Sequence, residues 1–190
     1  MAGRTALHVC DSQQGERCVV LLHGYLESMF VWDDFVPLLY KRVRVVTLDL
    51  PGHGISEVRG ECHSMEYLAD VVRDALQALG IARCTLVGHS MGGYVAMDIQ
   101  RLYPETVAGL ALCDTMAASD GVGGENRLKM ADAAEQTNSV EPVMHFAQPA
   151  DGDSTVKKTP EFIATMTGWI NEQNPAGLAW RQRMTYGRPE

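Results

Sequence analysis

Apolar runs alternate with amphipathic stretches through the first 115 residues of the chain. Strand-like runs occupy residues 5–10, 17–22, 44–50, 84–87 and 107–113. Between them, residues 29–41 carry a helical stripe that Pro37 interrupts. Residues 63–80 repeat apolar positions at the three- and four-residue spacing of a helix, with Ser64 as the N-cap. This order of strands and helices predicts an α/β fold, with a mostly parallel sheet and helices on both faces.

The pattern changes after Asp114. Residues 115–126 are small and Gly-rich, which predicts a loop. Helical stretches without strand alternation follow at 128–134, 143–146, 162–170 and 178–184, with prolines among them. We therefore predict two parts: an α/β core at residues 1–115, and a helical lid at residues 116–190 over the carboxyl ends of the strands.

Composition narrows the class of protein. The chain has 190 residues, of which 46% are hydrophobic, and a net charge of −8. This length and this hydrophobic fraction fit one domain, with or without an appended lid. An acidic chain without a basic cluster argues against binding to nucleic acid or to anionic membranes. No stretch is long and apolar enough to predict a membrane span.

Cysteine usage points to a reducing compartment. The five cysteines are widely spaced, without the pattern of a zinc site or of a disulfide framework. The N-terminus also lacks the apolar run of a signal peptide, so we predict a cytoplasmic protein. The sequence indicates neither a metal nor an organic cofactor, because the glycines at 121–124 lack the strand-to-helix context of a phosphate-binding loop.

The pentapeptide Gly88-His89-Ser90-Met91-Gly92 lies between a strand-like run and an apolar helical pattern. A Gly-x-Ser-x-Gly sequence in this context is typical of a nucleophile elbow. The turn is so tight that its central residue needs strained backbone angles, and side chains at the flanking glycines would clash. Ser90 is therefore the candidate nucleophile. The Met91 N–H, at the start of the helix, is a candidate donor to an oxyanion.

A catalytic serine also needs a general base, usually a histidine that a carboxylate holds in place. After Ser90 the chain has one histidine, His145, which lies in a polar stretch without a supporting motif. Asp114 ends the last strand-like run, where it could serve as the acid, although capping the following loop is its simpler role. We therefore expect the base and the acid to be missing from residues 1–190.

Three motifs in this order resemble the α/β-hydrolase fold family, in particular its lidded serine esterases and C–C hydrolases. They are Leu21-Leu22-His23-Gly24-Tyr25, Asp49-Leu50-Pro51-Gly52-His53-Gly54-Ile55-Ser56 and Val87-Gly88-His89-Ser90-Met91-Gly92-Gly93. The likeness covers residues 5–115 well; the remainder resembles the family's variable lid in position and helical character.

The resemblance assigns roles to individual residues. It implies that Ser90 is the nucleophile and that the backbone N–H groups of Tyr25 and Met91 form the oxyanion hole. Gly88, His89 and Gly92 then support the elbow. His23 and His89 belong to the motifs and are not expected to be bases, and His53 is expected to be a turn residue near the rim of the site.

The chain departs from the family pattern after the lid. The family places two more strands there, which bring the acid and the histidine of the triad, whereas this sequence stops at Glu190. The resemblance thus implies a hydrolase truncated before its last two core strands, with base and acid beyond residue 190 and a 190-residue chain that is inactive alone. Strand 107–113 would then be an exposed apolar edge through which the chain could self-associate.

Our leading hypothesis is a serine hydrolase that cleaves a carboxylic ester or related acyl bond of a small apolar substrate. A serine at position 90 argues against the dehalogenases and epoxide hydrolases of the family, which use a carboxylate nucleophile. Apolar lid residues could line the substrate pocket or simply pack on the core: Met116, Met130, Met144, Phe146, Met166, Trp169, Trp180 and Met184. The alternatives are a non-catalytic relative that binds an apolar ligand or a partner chain, and an enzyme completed by a second polypeptide.

Overall fold

The computed structural model describes residues 5–60, 64–118 and 124–186. The strands are β1 (Val9–Asp11), β2 (Cys18–Leu22), β3 (Arg44–Leu48), β4 (Cys84–His89) and β5 (Val107–Cys113). The α-helices are α1 (Val36–Leu39), α2 (Met65–Ala78), α3 (Met91–Leu102), α4 (Gly124–Thr137), α5 (Pro160–Asn171) and α6 (Pro175–Tyr186). Short 3-10 helices span Met29–Trp32, Pro104–Thr106, Glu141–Ala147 and Val156–Lys158.

The five strands form one sheet in the order β1-β3-β2-β4-β5, in which β1 is antiparallel and the other pairings are parallel. The chain moves outward from β2 to β3 and then back past β2 to β4, so right-handed crossovers place α1 on the face opposite α2 and α3. These features confirm the predicted α/β class. Leu22 pairs with Gly88, so the loops that follow β2 and β4 leave the sheet side by side.

Helix α2 shows how the sequence pattern produces the core. Leu68, Val72 and Leu76, spaced four residues apart, are fully buried on one face of the helix. The helix begins as predicted, because the Ser64 hydroxyl accepts a hydrogen bond from the Tyr67 N–H at 3.1 Å. His63, the first residue of the predicted helix, lies outside the described residues.

Two predicted elements differ in the structure. The helical stripe at 29–41 is a 3-10 turn at Met29–Trp32 and a separate four-residue helix, because Pro37 has no N–H to continue a helix begun earlier. The strand-like run at 5–10 joins the sheet only from Val9 onward. Before Val9, the N–H groups of Ala6 and His8 donate to side chains of the loop at 56–57 instead of to a strand.

Two apolar clusters pack the helical segment, residues 124–186, against the rest of the molecule. Leu26, from the loop after β2, packs with Ala134, Ile170 and other buried lid residues. In the opposite direction, Trp180 of α6 enters the cluster formed by β2, β3, β4 and α2. The four predicted helical stretches are confirmed, each with longer bounds, and the one at Glu141–Ala147 is a 3-10 helix. The division of the chain at residues 115 and 116 stays a prediction.

Strand β5 lies at the edge of the described sheet. Its outward-facing Leu110 and Leu112 are 38% and 45% exposed. Self-association through this edge stays a prediction. Among the residues described, no helix has the length and apolar character needed to cross a membrane.

Candidate active site

Ser90 occupies the turn between β4 and α3 with a backbone φ of +49° and ψ of −115°. A residue with a β-carbon keeps a positive φ only when its surroundings impose it, because the conformation costs about 1–3 kcal/mol. The strained turn predicted from the pentapeptide is therefore present. The catalytic role of Ser90 remains a prediction that the geometry alone does not test.

The glycines around Ser90 are required by close backbone contacts. A β-carbon at Gly88 would lie 2.6 Å from the Cα of Gly93, and one at Gly92 would lie 2.6 Å from the carbonyl oxygen of His23. Both separations are well below van der Waals contact, so α3 lies directly against the end of β2. Gly93, which the motif analysis did not single out, is equally constrained by the side chain of Thr115.

Hydrogen bonds from the end of β5 hold the elbow in place. The Ser90 N–H donates to the carbonyl of Cys113 at 3.0 Å. The Ser90 carbonyl accepts from the Thr115 hydroxyl at 2.7 Å and from the Gly93 N–H at 3.0 Å. Sequence reasoning missed Thr115, because only the pairing of β4 with β5 brings it beside the elbow.

The loop after β2 is fixed by a buried histidine. His23 Nε2 accepts from the Leu50 N–H at 3.0 Å, so the proton of the neutral ring lies on Nδ1, which donates to the Gly24 carbonyl at 2.8 Å. Burial lowers the pKa of His23 and favours this neutral form. Both ring nitrogens are occupied, so His23 is a support for the loop and not a base, as expected.

The two candidate oxyanion donors flank Ser90. Met91 is the first residue of α3, and N–H groups at a helix start have no partner within the helix. Tyr25 follows Gly24, where a β-carbon would lie only 3.1 Å from the Ser90 Cβ. The structure thus brings both backbone segments to the serine. Their role as an oxyanion hole stays a prediction.

Glu27 and His89 form an ion pair beside the serine. The Glu27 Oε2 lies 3.0 Å from His89 Nδ1 and also accepts the Gly24 N–H at 2.6 Å. The hydrogen bond to Glu27 raises the pKa of His89, against the opposing effect of burial. His89 was expected to support the elbow. Glu27 was missed, although an acidic residue in the mostly apolar run 25–31 was a local signal.

Ser90, Glu27 and His89 line a cavity of about 490 Å³ that lies between the strand ends and the helical segment. Its apolar wall includes Leu26, Val31, Phe146, Phe162, Met166 and Trp169. Its charged groups include Asp114, Arg127, Asp153 and Lys157. Of the lid residues proposed for a substrate pocket, Phe146, Met166 and Trp169 line this cavity, while Trp180 and Met184 belong to the core instead.

The remaining candidates from the sequence are Asp114, His145 and His53. Asp114 lines the cavity, exposed at the end of β5, whereas His145 is exposed and stacks on Phe146. His53 was expected near the rim of the site, but it is fully buried against the His23 ring, and burial holds its pKa well below the usual range. The His53 ring packs against His23, in the loop after β2, and does not reach the surface.

Within residues 5–60, 64–118 and 124–186, the hydroxyl of Ser90 has no hydrogen-bonded base: His89 is turned to Glu27, and His23 to the backbone. The same described ranges contain no group of three or more His, Cys, Asp or Glu side chains suited to a metal ion. The described site therefore consists of a serine in a strained turn, two nearby backbone N–H groups and a partly apolar cavity.

The sequence profile of the alpha/beta hydrolase fold family matches residues 17–139, more than half of the chain. The chain belongs to this family. A stretch of 139 residues is 35% identical to the dihydrolipoyllysine-residue acetyltransferase component of the acetoin cleaving system of Pseudomonas putida, covering 72% of this chain and 37% of that protein. A stretch of 102 residues is 33% identical to epoxide hydrolase 4 of Mus musculus, covering 53% of this chain and 28% of the relative.

A solved structure extends the likeness over nearly the whole length of this α/β-hydrolase chain. An esterase from the thermophile Thermogutta terrifontis superposes with a TM-score of 0.85 at 30% identity, covering 97% of this chain and 68% of the esterase. The matched regions thus span about a third of the curated relatives and about two thirds of this esterase. The likeness establishes an α/β-hydrolase fold with hydrolase relatives.

Proposed function

We propose that this α/β-hydrolase cleaves a carboxylic ester or a related acyl bond of a small apolar substrate, with Ser90 as the nucleophile. The observation that carries the proposal is the strained Ser90 turn, which opens into a cavity with an aromatic wall. The resemblance to an esterase structure supports the same chemistry. The likeness to an epoxide hydrolase has less weight, because position 90 is a serine and not the carboxylate such enzymes use.

The reaction would proceed through an acyl-enzyme. Ser90 Oγ attacks the carbonyl carbon and gives up its proton to a base, and the negative charge that develops on the carbonyl oxygen is held by the N–H groups of Tyr25 and Met91. Collapse of the tetrahedral species releases the alcohol. Water then attacks the acyl group by the same route, which releases the acid and restores Ser90.

The proposal places the base and the acid of this mechanism in polypeptide beyond residue 190. The support for this is that the histidines near Ser90 are bound elsewhere: His23 by backbone groups, and His89 by Glu27. We therefore expect the natural gene product to have a mass of about 30 kDa, the size of a complete lidded domain. Intact-mass spectrometry measures it directly; a natural product of 20.8 kDa, the mass of residues 1–190, contradicts this part of the proposal.

The central test is hydrolysis of short-chain p-nitrophenyl esters by the natural gene product and its Ser90→Ala variant. Loss of the nucleophile should lower kcat by about 1,000-fold or more. Ser139→Ala is the matched control, because Ser139 lies in the helical segment outside the cavity lining and its hydroxyl accepts the Glu141 N–H. A fluorophosphonate probe should label Ser90 in the wild type, as located by peptide mass spectrometry.

Unchanged ester turnover in the Ser90→Ala variant contradicts the assignment of the nucleophile. If neither the wild type nor the variant turns over any ester, while apolar ligands still bind in the cavity, a non-catalytic binding protein replaces the hydrolase. Activity that appears only after a second polypeptide is mixed with the chain identifies a two-chain enzyme.

A further inference from the structure

A single carboxylate oxygen links the loop after β2 to the elbow after β4. Glu27 is only 8% exposed, and its Oε2 accepts the Gly24 N–H at 2.6 Å and lies 3.0 Å from His89 Nδ1. Residues 24 and 89 are far apart in the chain, and the pairing of β2 with β4 brings them together. The contact therefore joins the two segments that carry the proposed oxyanion donor and the proposed nucleophile.

Hydrogen bonds hold both peptide units that meet at Gly24, including the unit between Gly24 and Tyr25. Its carbonyl accepts from His23 Nδ1, and the N–H on the other side of Gly24 is held by Glu27. A trans peptide is planar, so its carbonyl and its N–H point in opposite directions, and no described peptide bond is cis. Fixing the two peptide units of Gly24 thus fixes the direction of the Tyr25 N–H.

There is no spare space at this junction. A β-carbon at Gly24 would lie 2.9 Å from Glu27 Oε2, 3.0 Å from His89 Nδ1 and 3.1 Å from Ser90 Cβ. The bare Cα of Gly24 therefore packs among the carboxylate, the imidazole and the nucleophile. Because glycine has wide conformational freedom, the hydrogen bonds of the Gly24 N–H and carbonyl add to this packing in restricting the direction of its backbone.

We infer that Glu27 is a positioning residue that orients the Tyr25 N–H toward the oxyanion formed at Ser90, with His89 holding the Glu27 carboxylate in place. The inference rests on the proposed function for its catalytic part. Its structural part, the restraint of Gly24 by Glu27, stands on the geometry alone. Glu27 itself is not proposed to touch the substrate.

Variants at Glu27 test separately whether Glu27 restrains Gly24 and whether this restraint affects catalysis. Glu27→Ala removes the acceptor for Gly24, whereas Glu27→Gln keeps an amide oxygen that can accept the same N–H. Glu57→Ala is the matched control: Glu57 also accepts a backbone N–H, from Ala6 at 3.1 Å, and pairs with Arg59 at 2.8 Å, but it does not line the cavity.

The first readout is hydrogen exchange of backbone amides by NMR, which does not depend on activity. In Glu27→Ala the Gly24 amide should exchange at least about 10-fold faster than in the wild type, because its acceptor is lost. Glu27→Gln should restore most of the protection, and Glu57→Ala should leave the Gly24 amide unchanged. Equal protection of Gly24 in the wild type and in Glu27→Ala overturns the inference.

The second readout is steady-state hydrolysis of the same p-nitrophenyl esters. A misplaced oxyanion donor acts on the transition state, so Glu27→Ala should lower kcat about 10- to 100-fold with little change in KM, and Glu27→Gln should recover most of kcat. Faster exchange at Gly24 with an unchanged kcat overturns the positioning role. A wild type whose turnover does not depend on Ser90 contradicts the proposed function instead, and the exchange data still decide whether Glu27 restrains Gly24.

Discussion

The ends of β2 and β4 lie side by side, and each places a histidine next to a glycine, yet the pKa values of the two histidines are shifted in opposite directions. His23 is fully buried and bonds only to backbone groups, and burial lowers its pKa. His89 lines the cavity and pairs with Glu27, which raises its pKa. The difference teaches that the hydrogen-bond partner and the depth of burial determine the direction in which the pKa of a histidine shifts, even when both residues lie at the ends of neighbouring strands.

The largest effect should come from breaking the contact between the two strand ends. In Gly92→Ala the new methyl group would press on the carbonyl oxygens of Leu22 and His23, which cannot yield without moving β2. We expect a loss of about 2–3 kcal/mol in the free energy of unfolding. Urea denaturation followed by circular dichroism measures it.

Gly168→Ala is the control for this substitution, because a β-carbon there, within α5, meets nothing within 4 Å. It should gain up to about 1 kcal/mol through helix propensity. Equal unfolding free energies for the two variants would show that β2 and α3 are not in the close contact described.

The second test replaces each histidine by leucine. His23→Leu leaves the buried Leu50 N–H without its acceptor and should cost about 2–3 kcal/mol. His89→Leu leaves the Glu27 carboxylate with the Gly24 N–H but without its ion-pair partner, and should cost about 1 kcal/mol, because His89 is partly exposed. Urea denaturation of both variants in one buffer gives the order of the losses, and the reverse order breaks the comparison.

The third test follows the titration of the two rings by NMR. His89 should titrate above 6.5 and His23 below it. The charged groups acting on His89 are Glu27 and Asp114, which favour its protonated form, and Lys157, which opposes it. Glu27→Gln should therefore lower the pKa of His89, for which Glu27 is the main cause of the rise, and lower that of His23 to a smaller extent, because the Glu27 charge also favours protonated His23. A His89 pKa that does not respond to this substitution contradicts the ion pair.

These pKa shifts have opposite consequences for stability. The unfolded His23 takes up a proton near pH 6.5 that the folded ring resists, so its contribution is present above pH 6.5 and is lost as the pH falls below that value. The folded His89 binds its proton more tightly than the unfolded ring. Its contribution is therefore present below pH 6.5 and is lost as the pH rises through the raised pKa. Urea denaturation across this range should show each dependence disappear in the corresponding leucine variant.

The smallest effect on folding concerns β5, which borders β4 on one side and has no described strand on the other. Leu112→Lys should change the unfolding free energy by less than about 0.5 kcal/mol, because Leu112 is exposed, but it should reduce self-association of the 190-residue chain. Sedimentation velocity measures the association. Leu38→Lys, on exposed α1, is the control, and equal association of the two variants contradicts a role for the edge.

The elbow could be predicted from sequence because its pentapeptide is a recognisable local pattern. The strain at Ser90 and the need for glycine at 88 follow from the tight turn itself, whereas glycine at 92 is required by the carbonyl oxygens of Leu22 and His23 at the end of β2. The pairing of Glu27 with His89 could not be predicted, since it spans 62 positions and exists only once β2 and β4 are in register. The backbone geometry of a tight turn can therefore be predicted from neighbouring residues, whereas the partner of a charged side chain depends on the register of the assembled sheet.

The helices show the same division. The apolar stripe of α2 agrees with the structure because a single face of one helix meets the core. The stripe at 29–41, which Pro37 was expected to interrupt, is divided into a 3-10 turn and a short helix, because Pro37 lacks the N–H that a continuous helix needs. Pro160 and Pro175, which are among the prolines of the lid, each begin a helix, where the missing N–H costs nothing.

The lack of clearance between α3 and β2 has a consequence for protein engineering. A library that randomises positions 88 and 92 would consist largely of misfolded clones, because any side chain there meets backbone atoms. The wall contributed by Phe146, Phe162 and Trp169 is made of large side chains that line the cavity. Selection for new substrates should therefore diversify that wall and leave the elbow as it is, because the mutable and the immutable parts of the cavity come from different segments of the chain.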